Sequence, residues 1–214
     1  MLFGSEAAEA GYIYKFLPPS DSRQFPLLLL HRTGGNENDL VAAAKRISPG
    51  AAIIAVRGNV LEDGKPRFFR RLARGKFDID DLERRTEQLA AFVHSTCSKF
   101  KLAAPIALGF SNGANIAWSL ILRHPSALSG AILLRPYLAY DPLSAIPLLG
   151  IPVLVIAGRA DETVPRDRVD ALPRLLNHAG ARAVLKWVPG AHDFTIDDEV
   201  IASEWISDCG ADRS

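Results

Sequence analysis

A short stretch of the sequence, ALGFSNGA at residues 107–114, has the composition of a nucleophile site. It contains the pattern G-x-S-x-G with Ser111 at its centre, an apolar run before it and a helical pattern after it. In such a strand-turn-helix the serine sits on a strained turn that exposes its hydroxyl. Glycines two residues to either side allow the strand and the helix to approach each other. The alternative is a chance match at a tight turn, and the position between strand and helix argues against it.

A serine hydroxyl is a weak nucleophile at neutral pH, so it needs a base and an acid that orients the base. Three histidines follow Ser111 in the chain, namely His124, His178 and His192. The first lies at a helix end beside a proline and the second in the last turn of a helix, where surface or capping roles explain them better. His192 follows the last predicted strand, at the carboxyl edge of the sheet where ligands gather. We therefore predict that His192 is the base.

The candidate acid is Asp161, in the loop AGRADETVP at residues 157–165 after the penultimate strand. Glu162 is its first rival, and Asp141, farther beyond its own strand, is a weaker one. A solvated loop residue that helps to start the next helix is the plain structural alternative. Because the order serine, acid, histidine is the one expected for this kind of site, we predict a Ser111–His192–Asp161 triad.

The elements that must position these groups alternate along the chain. Short Val/Ile/Leu/Ala runs predict strands at 12–16, 26–30, 51–56, 105–110, 130–134, 152–157 and 183–188. Helical periodicity predicts helices at 38–47, 80–100, 112–123, 166–179 and 197–208. Continuous apolar runs without alternation are typical of parallel strands covered on both faces. The pattern predicts an α/β fold with a mostly parallel central sheet of about seven strands, helices on both faces, and a single domain over residues 1–214.

Composition excludes several classes of protein. The chain has 214 residues, 48% of them apolar and 23% charged, and a net charge of +1, which gives no reason to expect nucleic acid binding. No apolar run is long enough to span a bilayer, and no secretion signal is evident at the N-terminus. The two cysteines, Cys97 and Cys209, lack metal-type spacing and are typical of a reducing compartment. We expect a cytoplasmic protein, monomer or homodimer, that needs no metal or cofactor.

Residues 57–77 form a long connection with no clear period, and such connections inside a compact domain are usually lids or binding loops. They carry a basic cluster, which consists of Arg67, Arg70, Arg71, Arg74 and Lys76. Phe68 and Phe69 interrupt it. A solvated lid face is one interpretation. In the other, Phe68 or Phe69 and one arginine wall the substrate cleft.

These residues carry a family resemblance. The stretches LLLLHRTGGNENDL, RFFRRLARGKFDIDDLERRTEQL, ALGFSNGANIAWSLILRHP, VLVIAGRADETVP and PGAHDFT resemble the small α/β-hydrolase carboxylesterases. These are often grouped as the phospholipase/carboxylesterase family, and the resemblance is closest to its hydroquinone-linked bacterial hydrolase branch. It implies an α/β-hydrolase fold without a large cap domain and a serine esterase without cofactor. Acyl-protein thioesterases and dienelactone hydrolases are neighbouring groups, and the latter use cysteine in place of Ser111.

The oxyanion that forms on attack needs backbone N–H donors already aimed at it. One donor is Asn112, the residue after the nucleophile, and the other comes from the loop after the Leu-rich strand. By resemblance Thr33 supplies the second N–H, and His31 is a structural residue that ties this loop down. Arg32 departs from the family's usual glycine. We expect its side chain to point outward, because an unpaired guanidinium in a partly apolar cleft is costly.

The sequence thus predicts a serine carboxylesterase that hydrolyses small carboxylic esters through an acyl-enzyme. The residues predicted to line the substrate pocket are Arg32, Phe68, Phe69, Tyr137, Val164 and Phe194. Two alternatives stay open. An acyl thioesterase would use the same attacking chemistry, and a non-catalytic homologue would bind a small ligand in the pocket, which Arg32 alone favours.

Overall fold

The computed structural model describes residues 5–9, 11–73, 75–137 and 147–211, and for residues 5–9 and 211 the backbone alone. Within these ranges the strands are β1 (Ser5–Glu9), β2 (Tyr12–Leu17), β3 (Leu27–Leu30), β4 (Ile53–Arg57), β5 (Val60–Glu62), β6 (Lys65–Arg67), β7 (Arg71–Ala73), β8 (Lys76–Phe77), β9 (Ile106–Phe110), β10 (Gly130–Leu134), β11 (Pro152–Gly158) and β12 (Arg182–Val188). The α-helices are α1 (Val41–Ile47), α2 (Ile79–Phe100), α3 (Asn112–Arg123), α4 (Arg166–His178) and α5 (Ile196–Ala211).

The central sheet has the strand order β1-β2-β4-β3-β9-β10-β11-β12. The six strands from β4 to β12 in this order are parallel, and β2 and β1 are antiparallel additions at one edge. Leu30 pairs with Gly109, and Phe110 pairs with Leu134, so the carboxyl ends of the central strands meet at one edge. The loops that leave this edge carry Thr33, Ser111, Asp161 and His192. The mostly parallel sheet is confirmed, with eight strands rather than about seven.

The extra strand is β1, which the sequence analysis did not predict. Its sequence, SEAAE, contains no apolar run and is made of residues that are poor strand formers. It lies at the edge of the sheet and pairs with β2 alone. Backbone pairing with a neighbouring strand sets this element, and a pattern of side chains does not reveal it.

Helices cover both faces of the sheet, because successive side chains of a strand point to opposite sides. On β3, Leu28 and Leu30 belong to the core that packs against α2, α3 and α4. Leu27 and Leu29 belong to the opposite core, which packs against α1 and α5. All four leucines are at most 2% exposed. The continuous apolar run is therefore explained by burial on both faces.

One predicted helix begins later than its periodicity indicated. The helix α1 starts at Val41 rather than at residue 38. Asn36 prevents the earlier start, because its side-chain oxygen accepts a hydrogen bond from the Asn38 N–H at 2.8 Å and its carbonyl accepts from Asp39. Asparagine commonly stabilises such turns in competition with a helix. The result extends the loop that follows β3.

Residues 58–78, which we call the hairpin segment, fold into two short β-hairpins and not into an irregular loop. The strands β5 and β6 form the first, and β7 and β8 form the second. Between them Phe68 and Phe69 are fully buried against the main core. The segment ends at Asp78, whose side chain caps α2 by accepting from the Asp81 N–H at 3.0 Å. Among the described residues no cap domain is present over the sheet edge.

Candidate active site

Ser111 lies on the turn between β9 and α3, with a backbone conformation of φ 53° and ψ −109°. A residue other than glycine rarely adopts such angles, and they are typical of a nucleophile turn. The Ser111 N–H donates to the carbonyl of Leu134 at 2.9 Å, which anchors the turn to the neighbouring strand. A Cβ on Gly109 would lie 2.6 Å from the Gly113 carbonyl oxygen. A Cβ on Gly113 would collide with the end of β3, so both glycines are required by close packing.

His192 lies beside this serine, on residues 189–195 after β12, which we call the histidine loop. Its Nε2 is 2.8 Å from the Ser111 Oγ, and its Nδ1 is 2.7 Å from the Asp161 Oδ2. Because a carboxylate can only accept, Nδ1 carries the proton and Nε2 is free to accept from the hydroxyl. This is the tautomer that a general base needs.

Asp161 completes a continuous chain of hydrogen bonds. Its side chain is 4% exposed, and its Oδ1 accepts from the Thr163 N–H at 2.7 Å and the Val164 N–H at 3.3 Å. The rival Glu162 is exposed. The other rival, Asp141, lies outside the described residues. The structure therefore brings Ser111, His192 and Asp161 together.

Backbone contacts hold the acid loop (residues 159–165) against the histidine loop. The Arg159 N–H donates to the Val188 carbonyl at 2.8 Å, and the Ala160 N–H donates to the Gly190 carbonyl at 3.2 Å. Gly158 permits this approach, because a Cβ there would collide with the carbonyl of Gly190. The distance between the base and the acid is thus fixed by main chain as well as by side chains.

Two backbone donors belong to residues that line the cavity of Ser111. Thr33 and Asn112 both line the cavity that contains the serine. Among the described residues neither backbone N–H has a hydrogen-bond acceptor. Thr33 lies on residues 31–35, which we call the oxyanion arm, and Asn112 is the first residue of α3. Unpaired N–H groups beside a serine hydroxyl are the arrangement that an oxyanion requires.

His31 ties the oxyanion arm to the sheet. Its Nδ1 donates to the Arg32 carbonyl at 2.5 Å, and its Nε2 accepts from the Gly58 N–H at 2.9 Å. Burial lowers the pKa of His31, so the imidazole is neutral, as these two hydrogen bonds require. The His31 side chain therefore has the structural role that was expected from the sequence, which is to hold this loop in place.

The cavity at Ser111 has a volume of about 280 Å³. Its lining consists of Thr33, Arg67, Arg71, Gly75, Phe77, Ser111, Asn112, Asn115, Arg135, Tyr137, Thr163, Val164, Pro165 and His192. Tyr137 and Val164, which the sequence analysis proposed as pocket residues, are in this set. Phe68 and Phe69 are not, and this corrects the expectation that they wall the cleft: both rings are 0% exposed in the core. Phe77 provides the aromatic wall instead, with its ring 5.5 Å from that of Tyr137.

Arg32 and Phe194 lie in a second cavity, and this corrects their assignment to the substrate pocket. That cavity is larger, about 550 Å³, and is lined also by Asp39, Leu40, Phe110 and Asp193. It contains none of the three triad groups. Arg32 is exposed and is not among the described residues with positive φ, so it needs no glycine-like backbone. Its side chain points away from the serine cavity, as expected.

The sequence analysis missed polar residues that line the serine cavity. Asn115 lies one helical turn after Ser111, and its Oδ1 accepts from the Tyr137 N–H at 2.7 Å. Its i+4 spacing from the serine on a predicted helix was the available signal. Arg135 directly follows β10, and Arg32 lies two residues after β3. A charged residue just after a buried strand indicates this edge of the sheet. The sequence analysis allowed one arginine of the basic cluster in the cleft, and Arg67 and Arg71 both line the cavity.

Two negative observations apply to the described ranges. No group of three or more histidine, cysteine, aspartate and glutamate side chains there is placed to hold a metal ion. None of the helices described is long and apolar enough to cross a membrane. An activity without metal or cofactor stays a prediction.

Comparisons with known proteins agree with this geometry. The model of the dienelactone hydrolase family matches residues 71–209. The chain belongs to this family. A protein of Bacillus subtilis (strain 168) described as "Putative hydrolase MhqD" is 41% identical over 184 residues, which are 85% of this chain and 92% of that protein. The chain is therefore a hydrolase.

Solved structures confirm the fold and the resemblance to carboxylesterases. The Bacillus cereus carboxylesterase has a TM-score of 0.90 and 38% identity, over 92% of this chain and 94% of that chain. A carboxylesterase from Mesorhizobium loti has a TM-score of 0.90 and 35% identity, over 95% of this chain and 98% of that chain. These matches confirm the predicted α/β-hydrolase fold.

Proposed function

We propose that this hydrolase is a serine carboxylesterase that cleaves small carboxylic esters through an acyl-enzyme on Ser111. His192 takes the Oγ proton while the oxygen attacks the ester carbonyl carbon. The negative charge that forms on the carbonyl oxygen is stabilised by the N–H groups of Thr33 and Asn112. Asp161 holds the imidazole in its tautomer and stabilises the imidazolium.

The second half of the reaction reuses the same groups. The tetrahedral intermediate collapses, the alkoxide leaves with the proton from His192, and an ester of Ser111 remains. A water molecule then gives a proton to His192 and attacks that ester, and the acid is released with Ser111 restored. No group other than the triad, the two backbone donors and water is needed for this sequence.

One observation carries the proposal: the chain Asp161–His192–Ser111, with contacts of 2.7 and 2.8 Å, ends at a serine in a cavity that Thr33 and Asn112 also line, and the backbone N–H groups of these two have no acceptor among the described residues. The cavity supports a small substrate, because 280 Å³ is at the lower limit of typical small-molecule sites, about 300–1,000 Å³. Its wall combines apolar side chains such as Phe77 and Val164 with polar ones such as Asn115.

The alternatives differ in how the structure bears on them. A thioester would meet the same nucleophile, base and donors, so an acyl thioesterase remains the second candidate. A non-catalytic ligand-binding homologue was favoured by Arg32 alone, and that side chain lies outside the serine cavity. The cytoplasm remains the predicted compartment, since no disulfide joins Cys97 and Cys209.

The test is a set of rates on nitrophenyl esters of increasing acyl length and on the matching thioesters. We expect hydrolysis to be fastest for short acyl chains, and Ser111→Ala to lower kcat by about 10⁴- to 10⁶-fold. Ser126→Ala, at an exposed serine away from the cavity, is the matched control and should keep the wild-type rate. A Ser111→Ala variant that keeps more than a few per cent of turnover would refute the assignment, and a higher rate on thioesters would favour the second candidate.

A further inference from the structure

Three consecutive residues of the hairpin segment, 66–68, contact both proposed oxyanion donors, and we call them the bracket. On one side, the Pro66 carbonyl accepts from the Gly34 N–H at 2.9 Å. On the other, the Phe68 N–H donates to the side-chain oxygen of Asn112 at 2.8 Å. The bracket therefore joins the oxyanion arm to the first turn of α3, although the two are far apart in sequence.

Arg67, the middle residue of the bracket, contacts the oxyanion arm directly. Its Nη1 donates to the Thr33 Oγ1 at 2.9 Å, and its Nε donates to the Phe69 carbonyl at 3.1 Å. The residue is 2% exposed and lines the serine cavity. A planar guanidinium with two such bonds has little rotational freedom. Arg67 thus holds the Thr33 side chain in place at the cavity that Thr33 lines.

The charge of Arg67 is only partly compensated. Its carboxylate partner, Glu62, lies at 3.3 Å, is 24% exposed, and also pairs with Arg71 at 2.6 Å. Burial lowers the pKa of the Arg67 guanidinium, which means that the protein keeps this cation at a cost in solvation. A cation in the wall of a cavity where an oxyanion forms favours that anion over the neutral ester.

We propose that Arg67 is a positioning residue of the oxyanion hole, which fixes the Thr33 N–H and, through the bracket, its distance from the Asn112 N–H. The inference rests on the proposed function. Such a residue acts on the transition state and not on the bound ester, so its loss lowers kcat while KM stays nearly constant.

The kinetic test compares Arg67→Gln with Arg70→Gln on a short nitrophenyl ester. We expect Arg67→Gln to lower kcat about 10- to 100-fold, less than the 100- to 1,000-fold that follows loss of a whole donor, with KM within about threefold. Arg70 is the matched control, because it belongs to the same segment, is exposed, and pairs with Asp78 outside the cavity. Equal kcat values for the two variants would overturn the proposal.

Two variants of Thr33 keep the test valid if Arg67→Gln folds poorly, and a double-mutant cycle extends it if Arg67→Gln folds. Thr33→Val removes the hydroxyl that Arg67 binds and keeps the backbone N–H, and Thr33→Ser keeps both groups. We expect the kcat of Thr33→Val to be about tenfold lower than the kcat of Thr33→Ser. Adding Arg67→Gln to Thr33→Val should then cost less than about threefold, because the two residues act through one contact. Strictly multiplicative losses would contradict the proposal.

Amide hydrogen exchange at Gly34 gives a readout that needs no activity. Its N–H is bonded to the bracket, so we expect exchange to be at least about tenfold faster in Arg67→Gln and unchanged in Arg70→Gln. If the wild-type protein hydrolyses no ester, the proposed function fails, and the exchange rates still decide whether Arg67 holds the arm. Unchanged exchange in Arg67→Gln would show that it does not.

Discussion

Two almost fully buried arginines contact different parts of this site: Arg135 contacts the histidine loop, and Arg67 contacts the oxyanion arm. Arg135, at the end of β10, donates from Nε to the Ala191 carbonyl at 3.0 Å, next to His192. Its guanidinium makes two bonds to Asp198, at 2.7 and 3.0 Å, and both side chains are 0% exposed. Arg67 contacts the oxyanion arm, and its carboxylate partner in the described part of the chain, Glu62, is farther away at 3.3 Å and partly exposed.

The difference separates a structural charge from one available to the reaction. Asp198 also accepts from the Thr195 N–H at 2.7 Å, so the pair at Arg135 fixes the histidine loop to the start of α5. Because the buried Asp198 carboxylate compensates the charge of Arg135, we expect Arg135 to have little electrostatic effect on a substrate. The carboxylate partner of Arg67 is shared with Arg71, so we expect part of the positive charge of Arg67 to act at the cavity wall. We therefore expect changes at Arg135 to act mainly on stability and changes at Arg67 mainly on kcat.

The largest effect in this comparison is expected at Asp161, the proposed acid that contacts His192. Asp161→Asn should lower kcat about 10⁴-fold, because an amide can hold the imidazole in the wrong tautomer and cannot stabilise the imidazolium. Glu162→Gln, one residue away and exposed, is the control and should stay near wild type. Steady-state rates on one ester are sufficient. If Glu162→Gln is the crippling change, the acid has been misassigned by one residue.

The next effect is on stability. Arg135→Met should lower the free energy of unfolding by about 3–5 kcal/mol, because it leaves the Asp198 carboxylate buried and unpaired. Arg46→Met is the matched control: it breaks the pair with Glu199, in which Arg46 is 58% exposed, and should cost clearly less. Urea unfolding measures both. Equal losses for the two variants, or a larger loss for Arg67→Gln than for Arg135→Met, would break the comparison.

The stability of the protein should depend on pH through His31, which holds the oxyanion arm. Burial lowers its pKa below the ordinary value of about 6.5, so below pH 6.5 the unfolded chain binds a proton that the folded chain excludes. Stability is then lost as the pH falls below about 6.5. His31→Gln should remove this part of the slope, whereas His94→Gln, at an exposed histidine, should not. Unfolding curves at several pH values test it, and identical slopes for wild type and His31→Gln would contradict it.

The smallest effect is expected at Arg32, whose side chain lies in the second cavity. Arg32→Gly should change kcat/KM on a neutral short ester by less than about threefold, because the Arg32 side chain lies outside the cavity that contains Ser111. A misaimed donor would instead cost about 3 kcal/mol, roughly a hundredfold. A gain of a hundredfold or more would mean that Arg32 blocks the site, and it would revive the ligand-binding alternative.

The sequence allowed the prediction of groups that follow directly from strand ends. Ser111, Asp161 and His192 each lie in a loop at the carboxyl edge, and parallel strands bring such loops together whatever the details of packing. The hairpin segment was not predictable in this way. Its position depends on bonds such as Arg67 to Thr33 and Phe68 to Asn112, between residues 34 and 44 positions apart.

Burial explains the errors in the pocket. Phe68 and Phe69 were assigned to the cleft because they interrupt a basic cluster, and such a pattern does not show which side of a segment faces the core. Both rings fill the core, and the arginine before them faces the cavity. Phe77, near the end of the same segment, supplies the aromatic wall in their place.

Reaction with a fluorophosphonate probe, followed by mass spectrometry of the peptide that contains Ser111, tests the central claim most directly. We expect one equivalent of adduct on Ser111, no adduct in Ser111→Ala, and labelling slowed by several orders of magnitude in His192→Ala. We also expect normal labelling in the control Ser126→Ala. Absence of an adduct, an adduct on another residue, or undiminished labelling in His192→Ala would contradict the proposed Ser111–His192–Asp161 triad.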